Sequence, residues 1–173
     1  MTLRDPDYVH KIVVLGETGV GKTSLVQRYA YGSLDPQTQK TIGAVLHVKM
    51  VDHRSLRHKL VIWDLAGAES FLMMREQFCT SASGAFLVFD TTQPSTLAAT
   101  EDWLEALYTS AGRVPVVLVE NKVDLESRVD PQVVKRIAEE HAFRLVRTSA
   151  LHNINVQLAF VSLVDAITER LRD

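Results

Sequence analysis

The sequence is poor in cysteine, in long apolar runs and in net charge. Its single cysteine, Cys79, excludes an internal disulfide framework and is compatible with a reducing compartment. No stretch approaches the roughly 20 apolar residues of a membrane-spanning helix, and residues 1–10 lack the apolar run of a secretory signal. With 19 basic and 21 acidic residues, the formal net charge is −2, so overall charge predicts neither nucleic acid nor an anionic membrane as a partner.

The chain has room for one hydrophobic core. It has 173 residues, of which 46% are hydrophobic, and this is the size and composition of an ordinary single domain. We therefore predict one domain over residues 1–173, with residues 1–9 as a short flexible extension. The last residues include no cysteine, so prenylation would require a tail outside this sequence.

Short apolar, β-branched runs alternate with segments of helical spacing. The predicted strands cover residues 11–15, 44–51, 56–64, 85–89, 116–119 and 144–148. The predicted helices cover residues 21–31, 95–111, 133–141 and 155–171. The four-residue turn at 52–55 makes the second and third strands an antiparallel hairpin, whereas the continuous apolar runs of the fourth and fifth are typical of strands buried in a parallel sheet. The pattern predicts an α/β fold with a six-stranded, mostly parallel sheet, one antiparallel edge strand and helices on both faces.

The strongest chemical signal is a phosphate-binding loop. Residues 16–23, with the sequence GETGVGKT, match the pattern G-x-x-x-x-G-K-[ST] between a predicted strand and a predicted helix. The glycines allow successive main-chain N–H groups to point inward, and the helix N-terminus adds positive potential where phosphate would lie. Lys22 would then bridge the β- and γ-phosphates, and the Thr23 hydroxyl would bind Mg²⁺. The alternative, a glycine-rich turn that only starts a helix, is disfavoured by the flanking strand and helix. The expected phosphate-side contacts are Glu17, Thr18, Gly19, Val20, Gly21, Lys22, Thr23 and Ser24.

A second motif indicates which base is bound. Residues 121–124, Asn-Lys-Val-Asp, follow the predicted strand at 116–119, at the edge where α/β sheets bind ligands. The Asp124 carboxylate can accept hydrogen bonds from the ring N–H and the exocyclic amine of guanine, whereas adenine offers no such pair of donors. Residues 148–150, Thr-Ser-Ala, end the last strand and could add a main-chain N–H to the guanine O6. The pattern therefore favours GTP over ATP.

The ordered motifs GETGVGKT, TIG, WDLAGAE, NKVD and TSA resemble the Ras-like small GTPases from end to end, and the Rab branch fits best. The resemblance implies a monomeric guanine-nucleotide switch that binds GTP or GDP with Mg²⁺, hydrolyses GTP, and has a Rab-like role in membrane trafficking or signalling. It implies that Thr41 binds Mg²⁺ and senses the γ-phosphate, that Asp64 holds Mg²⁺ through a water, and that Gly67 offers its N–H to the γ-phosphate. The base-side contacts that it implies are Leu34, Asn121, Lys122, Asp124, Ser149, Ala150 and Leu151.

One departure from that family concerns catalysis. Ala68 stands four residues after Asp64, where the family usually has the glutamine that orients the attacking water. A methyl group cannot orient water, although Lys22 and Mg²⁺ would still stabilise charge. We therefore expect hydrolysis to be slowed by about 10- to 100-fold, or roughly 1.4 to 2.8 kcal/mol.

Other departures lie on the base side. Leu34 stands where the family often has a phenylalanine against guanine, and we expect faster nucleotide release because leucine covers the base less well. Glu120 replaces a small residue before the Asn-Lys-x-Asp motif, and Leu151 replaces a lysine after Ser-Ala. The sequence alone indicates no consequence for these two.

The resemblance also implies partners and a location. Two switch segments, residues 36–43 and 66–78, are expected to bind effectors, an exchange factor and a GTPase-activating protein. The expected location is cytoplasmic, or peripheral on the cytosolic face of an intracellular membrane if a lipidated tail exists. Two alternatives remain: a pseudoGTPase scaffold that binds nucleotide with negligible turnover, which Ala68 supports, and an ATP-dependent P-loop kinase or small ATPase, which residues 121–124 disfavour.

Overall fold

The computed structural model describes residues 4–38, 40–67 and 74–172. The strands are β1 (Tyr8–Leu15), β2 (Ala44–His53), β3 (Leu56–Leu65), β4 (Gly84–Asp90), β5 (Val116–Asn121) and β6 (Arg144–Arg147). The helices are α1 (Lys22–Tyr31), α2 (Arg75–Cys79), α3 (Pro94–Ala98), α4 (Thr100–Ala111), α5 (Pro131–Glu140) and α6 (Val156–Arg170). Within the described ranges, no helix combines the length and the apolar character needed to cross a bilayer.

The six strands form one sheet in the order β2-β3-β1-β4-β5-β6. Strand β2 is antiparallel to β3, and the other neighbouring pairs are parallel. Every residue of β4 and of β5 is buried, because helices cover both faces of the sheet. The predicted fold, including the antiparallel edge strand, is confirmed.

Alternation along the strands divides the interior into two layers. On β1, Ile12 and Val14 face the layer that holds α1 and α6, while Val13 and Leu15 face the layer that holds α2, α4 and α5. Strand β4 alternates in the same way. Successive side chains of a strand point to opposite faces of the sheet, and here both faces are covered. These strands are therefore apolar at nearly every position.

Apart from element ends that shift by one or two residues, the structure differs from the sequence-based predictions in three ways. Strand β1 begins at Tyr8 because it pairs with β3 from Tyr8 onward, so residues 8 and 9 belong to the sheet and not to a flexible extension. The helix predicted at 95–111 is divided at Ala99 into α3 and α4, where the Thr100 hydroxyl donates to the Leu97 carbonyl at 2.6 Å and competes with the main chain for it. The five-residue helix α2 was not predicted, because five residues are too short for a periodic pattern.

The topology brings the motifs to one edge of the sheet. The carboxyl ends of β1, β3, β4, β5 and β6 lie side by side, because these strands run parallel to one another. The loops that follow them carry the glycine-rich motif, Gly67, Asn121 and the residues after Arg147. This is the edge at which α/β sheets bind ligands.

Candidate nucleotide and metal site

The glycine-rich loop at residues 16–21 takes a shape that side chains would obstruct. Gly16 has φ +146° and Gly21 has φ +100°, and a Cβ on Gly21 would lie 2.3 Å from Nδ2 of Asn121. Gly21 also precedes α1, whose N-terminus has no side-chain cap among the described residues. The first N–H groups of α1 are therefore available to an anion.

Lys22 is held directly over this loop. Its Nζ donates hydrogen bonds to the main-chain oxygens of Gly16 at 2.7 Å and Glu17 at 2.8 Å. Lys22 is only 6% exposed. This burial lowers its pKa to about 8, although the charges of the Asp64 and Glu17 carboxylates act to raise it. A poorly solvated ammonium group at a helix N-terminus would gain from a phosphate counter-charge.

Thr23, Thr41 and Asp64 bring three oxygen atoms together, as the resemblance implied. The Thr23 hydroxyl donates to Oδ2 of Asp64 at 2.5 Å and lies 2.7 Å from the Thr41 hydroxyl. Because the Thr23 proton goes to Asp64, Thr41 must be the donor to Thr23. These contacts join the start of α1, the first switch segment and the end of β3.

The environment of Asp64 fits a divalent cation. Its side chain is fully buried, and Oδ1 has no hydrogen-bond partner among the described residues. Burial raises the pKa of Asp64, while the hydrogen bond from Thr23 and the charge of Lys22 oppose this rise. Hard oxygen donors beside a phosphate site suit Mg²⁺, which retains several waters and completes its shell with phosphate oxygens. Elsewhere in the described ranges, no group of three or more His, Cys, Asp or Glu side chains is placed to hold a metal.

Gly67 closes the phosphate side. A Cβ on Gly67 would lie 2.3 Å from the Thr18 nitrogen and 2.6 Å from the Gly16 oxygen, so its main chain packs directly on the phosphate loop. Beside it lies a cavity of about 430 Å³. The cavity is lined by Thr18, Gly19, Gly21, Lys22, Thr23, Ser24, Thr38, Lys40, Thr41, Leu65, Gly67 and Lys122. Ala68 and the rest of residues 68–73 lie outside the described residues, so the role expected for Ala68 stays a prediction.

A second cavity, of about 240 Å³, adjoins the first. The two share Gly21, Ser24 and Lys122 in their walls. The remaining lining residues are Leu34, Asn121, Asp124, Leu125, Ala150 and Leu151. All the base-side residues implied by the resemblance, with one exception, therefore surround one space of the size of a nucleobase.

The exception is Ser149, which is buried below the second cavity. Its main chain pairs with Ile154 and its hydroxyl accepts from the main-chain N–H of His152. On the phosphate side, Glu17 and Val20 likewise do not line either cavity. The Glu17 carboxylate accepts a hydrogen bond of 3.0 Å from the Trp103 indole, which turns it towards α4. Direct contacts from these three predicted residues stay predictions.

Asn121 and Lys122 tie the base side to the phosphate loop. Asn121 is buried; its Nδ2 donates to the Val20 oxygen at 2.9 Å, while its Oδ1 accepts from the Thr148 hydroxyl at 2.9 Å. Lys122 Nζ donates to the Gly19 oxygen at 2.6 Å and pairs with the Asp90 carboxylate at 2.6 Å. The Asn-Lys pair therefore shapes the site. The Asp124 carboxylate lines the second cavity, with Nε2 of His152 at 3.8 Å from its Oδ2.

Arg28 holds a loop of the candidate site in place, which sequence reasoning missed. From the last turn of α1, its guanidinium donates to the main-chain oxygens of Ala150 at 3.0 Å, Leu151 at 2.9 Å and Gly32 at 3.1 Å. This fixes the loop that follows β6 against α1. The motif reveals no such role, because the contact joins positions more than 100 residues apart in the sequence.

Known proteins are similar to this chain over most of its length. Residues 11–169 match the model of the Ras family. Human Ras-related protein Rab-3D is 38% identical over 170 residues, which cover 96% of this chain and 78% of that protein. The bovine Ras-related protein Rab-3B has the same identity and coverage, and the zebrafish Ras-related protein Rab-18-B is 38% identical over 162 residues, covering 92% of this chain and 79% of that protein. The chain therefore belongs to the Ras family of small GTPases and is Rab-like.

Proposed function

We propose that this protein is a switch that binds GTP or GDP together with Mg²⁺, hydrolyses GTP slowly and serves membrane trafficking or signalling. The observation that carries the proposal is the pair of adjoining cavities at the carboxyl edge of the sheet. One is built for phosphate and a cation, through Lys22 and the Thr23–Asp64 contact. The other presents Asp124 to a base.

The residues of the phosphate cavity would together stabilise the negative charge of the nucleotide's phosphates. Lys22 would exchange its bonds to Gly16 and Glu17 for phosphate oxygens, and the N–H groups at the start of α1 would add neutral donors. Thr23 and Thr41 would ligate Mg²⁺ directly and Asp64 would hold it through a water. When bound, Mg²⁺ would neutralise charge that develops on the β- and γ-phosphates.

Asp124 would select guanine by its hydrogen-bonding pattern. An ionised carboxylate only accepts hydrogen bonds, so it can pair with the two N–H donors on the edge of guanine. Beside a base edge without two donors, the carboxylate would lack hydrogen-bond partners. A carboxylate that loses water to a bound base without gaining hydrogen bonds from it weakens binding. Competition between GTP and ATP for the Mg²⁺-supplemented protein tests this directly, and preference for ATP would favour the kinase or ATPase alternative.

Hydrolysis is proposed to be slow because of Ala68. Lys22, the loop amides and Mg²⁺ stabilise charge, but an alanine side chain has no group that can hydrogen-bond to water. The test is single-turnover hydrolysis of bound GTP by the native protein and by Ala68→Gln, with Ala98→Gln, on the exposed side of α3, as the matched control.

We expect Ala68→Gln to raise the rate about 10- to 100-fold and Ala98→Gln to leave it unchanged. Native hydrolysis as fast as that of Ala68→Gln would contradict the slow switch. If neither protein hydrolysed GTP while both retained it, the pseudoGTPase scaffold would be the better description.

The switch role is proposed to act through residues 36–43 and 66–78. Next to the first segment, β2 exposes apolar side chains on the outer edge of the sheet: Val45, Leu46, Val48 and Met50. An exposed apolar stripe of this kind suits effectors, an exchange factor or a GTPase-activating protein. Hydrogen exchange of main-chain amides in both segments should slow when GDP is replaced by a non-hydrolysable GTP analogue, while exchange in α6 should not. Equal exchange with both nucleotides would contradict the switch.

A further inference from the structure

Glu120 directly precedes the Asn-Lys-x-Asp motif. It lies on β5, its side chain is 7% exposed, and it lines neither cavity. We propose that Glu120 is a positioning residue that fixes the two loops of the guanine pocket and thereby slows nucleotide release. The inference rests on the proposed function, because it concerns the dwell time of a bound guanine nucleotide.

Both oxygens of the Glu120 carboxylate are engaged by neighbouring strands. Oε1 accepts a hydrogen bond of 2.6 Å from the hydroxyl of Thr91, which follows β4. Oε2 accepts one of 2.9 Å from Nε of Arg147, which ends β6. One buried carboxylate therefore joins the carboxyl ends of three adjacent strands.

On one side, the bridge continues into the loop that carries Asp124. The Thr91 hydroxyl gives its proton to Glu120, and the Ser127 hydroxyl lies 2.9 Å from the Thr91 oxygen. The Thr91 carbonyl also accepts the main-chain N–H of Arg128 at 2.8 Å. Asp124 therefore sits in a loop anchored at Asn121 before it and at Ser127 after it.

On the other side, the bridge fixes the loop that carries Ala150 and Leu151. Arg147 is the last residue before this loop, and its guanidinium is bound by the Glu120 carboxylate. The main-chain N–H of the next residue, Thr148, donates to the main-chain carbonyl oxygen of Glu120 at 2.7 Å, so main chain and side chain both join β5 to this loop. A charge-assisted hydrogen bond is stronger than a neutral one, and here its acceptor, the Glu120 carboxylate, is buried although the Arg147 side chain is 60% exposed. Loss of one partner would leave the other without its charge complement. The Glu120 side chain thus links the two walls of the base cavity, in addition to the main-chain bonds and the Asn121 side chain that join them.

The chain supplies a matched control for a bridge without this role. Arg144 lies on the same strand, three residues before Arg147, and pairs with Glu169 on α6 at 2.7 Å. It contacts neither cavity. Arg144→Gln and Arg147→Gln therefore each remove an Arg–Glu ion pair, from opposite ends of β6; the carboxylate is buried only in the Arg147 pair.

The experiment measures the rate at which a fluorescent GDP dissociates in the presence of Mg²⁺ and excess unlabelled GDP. The proteins compared are the native protein, Glu120→Gln, Arg147→Gln, the double variant and Arg144→Gln. We expect Glu120→Gln and Arg147→Gln each to raise the dissociation rate about 3- to 10-fold, since one to two charge-assisted hydrogen bonds are lost. The double variant should be no faster than Glu120→Gln, because both substitutions break the same bridge. Arg144→Gln should stay within about twofold of the native rate.

A base-selective readout separates positioning from general destabilisation. Inosine diphosphate lacks the exocyclic amine whose hydrogen bond Asp124 would accept. The ratio of its dissociation rate to that of GDP therefore reports how well Asp124 is placed. This ratio should shrink in Glu120→Gln and remain native in Arg144→Gln. Should Glu120→Gln fail to fold, Arg147→Gln carries the test, since the Arg147 side chain is 60% exposed.

Native dissociation rates and a native ratio in both Glu120→Gln and Arg147→Gln would overturn the inference. Acceleration by Arg144→Gln equal to that by Arg147→Gln would also overturn it. Failure of the native protein to prefer guanine over adenine nucleotides would instead contradict the proposed function, so the two failures are distinguishable.

Discussion

The side-chain amide of Asn121 donates a hydrogen bond of 2.9 Å to the main-chain oxygen of Val20, a residue 101 positions earlier in the chain. The same side chain accepts bonds from the Thr148 hydroxyl at 2.9 Å and the Ala150 N–H at 3.3 Å. One buried amide therefore links the phosphate loop to both walls of the base cavity. The shapes of the two cavities consequently depend on each other.

Asn121→Asp should destabilise the protein strongly although the two side chains have nearly the same shape. The new carboxylate would face the Val20 oxygen without a donor and would be buried with a negative charge. We expect a loss of about 2 to 4 kcal/mol in the free energy of unfolding, measured by urea denaturation. Asn155→Asp is the control, because Asn155 also donates to a main-chain oxygen, at 2.8 Å, but is exposed. Equal losses in the two variants would contradict the linking role.

Asp64→Asn should weaken the dependence of nucleotide retention on Mg²⁺. The substitution removes the negative charge from the cluster of Thr23, Thr41 and Asp64. The asparagine side chain has nearly the same size, and its oxygen can still accept a hydrogen bond from Thr23. The Mg²⁺ concentration that gives half-maximal retention should rise at least about tenfold, since a carboxylate is the main attraction of such a site for the cation. Asp165→Asn, at the ion pair with Arg54 on another part of the surface, should leave the requirement unchanged. An unchanged requirement in Asp64→Asn would rule out the assigned metal position.

Stability should fall in acid because of a buried pair of histidines. His10 on β1 is 3% exposed, and its Nε2 lies 2.9 Å from Nδ1 of the fully buried His58. Burial, aided by the neighbouring ring, lowers the pKa of His10 to about 4 from a usual value of 6.5. Burial also lowers the pKa of His58. Between pH 6.5 and 4 the unfolded chain therefore binds more protons than the folded protein, so the free energy of unfolding decreases as pH falls through this window.

The contribution of His10 amounts to at most about 3 to 4 kcal/mol. Urea denaturation at several pH values between 7 and 4.5 measures it. His10→Phe keeps an aromatic ring in the stack formed with Tyr8 and His58 and should flatten the pH dependence. His141→Phe, at a partly exposed histidine beside Glu101, should not. An equally steep acid loss in His10→Phe would show that other groups dominate.

Local patterns predicted the fold and the centre of the site. Continuous apolar runs identified β4 and β5 because strands covered on both faces need apolar side chains at every position. Gly16, Lys22 and Thr23 were identifiable because phosphate binding needs these residue types within one short loop. In each case, the determining interactions lie within a few neighbouring residues.

Contacts between distant segments were not predictable in this way. Arg28 fixing the loop after β6, and Trp103 turning Glu17 away from the cavity, depend on which elements the fold brings together. The contacts of Glu120 were not predictable for the same reason, since its partners are Thr91, which follows β4, and Arg147, which ends β6. The early start of β1 likewise follows from pairing with β3 and not from its own residues.

The central claim, that Asp124 reads guanine, is tested most directly by changing what that side chain can accept. Asparagine can accept one hydrogen bond and donate another, which suits xanthine, where a carbonyl oxygen replaces the exocyclic amine. We predict that the native protein retains GDP in strong preference to xanthosine diphosphate, and that Asp124→Asn lowers this preference about 100-fold or more. Glu126→Gln, on an exposed part of the same loop, should leave it unchanged. The same preference for GDP in Asp124→Asn as in the native protein would contradict the account.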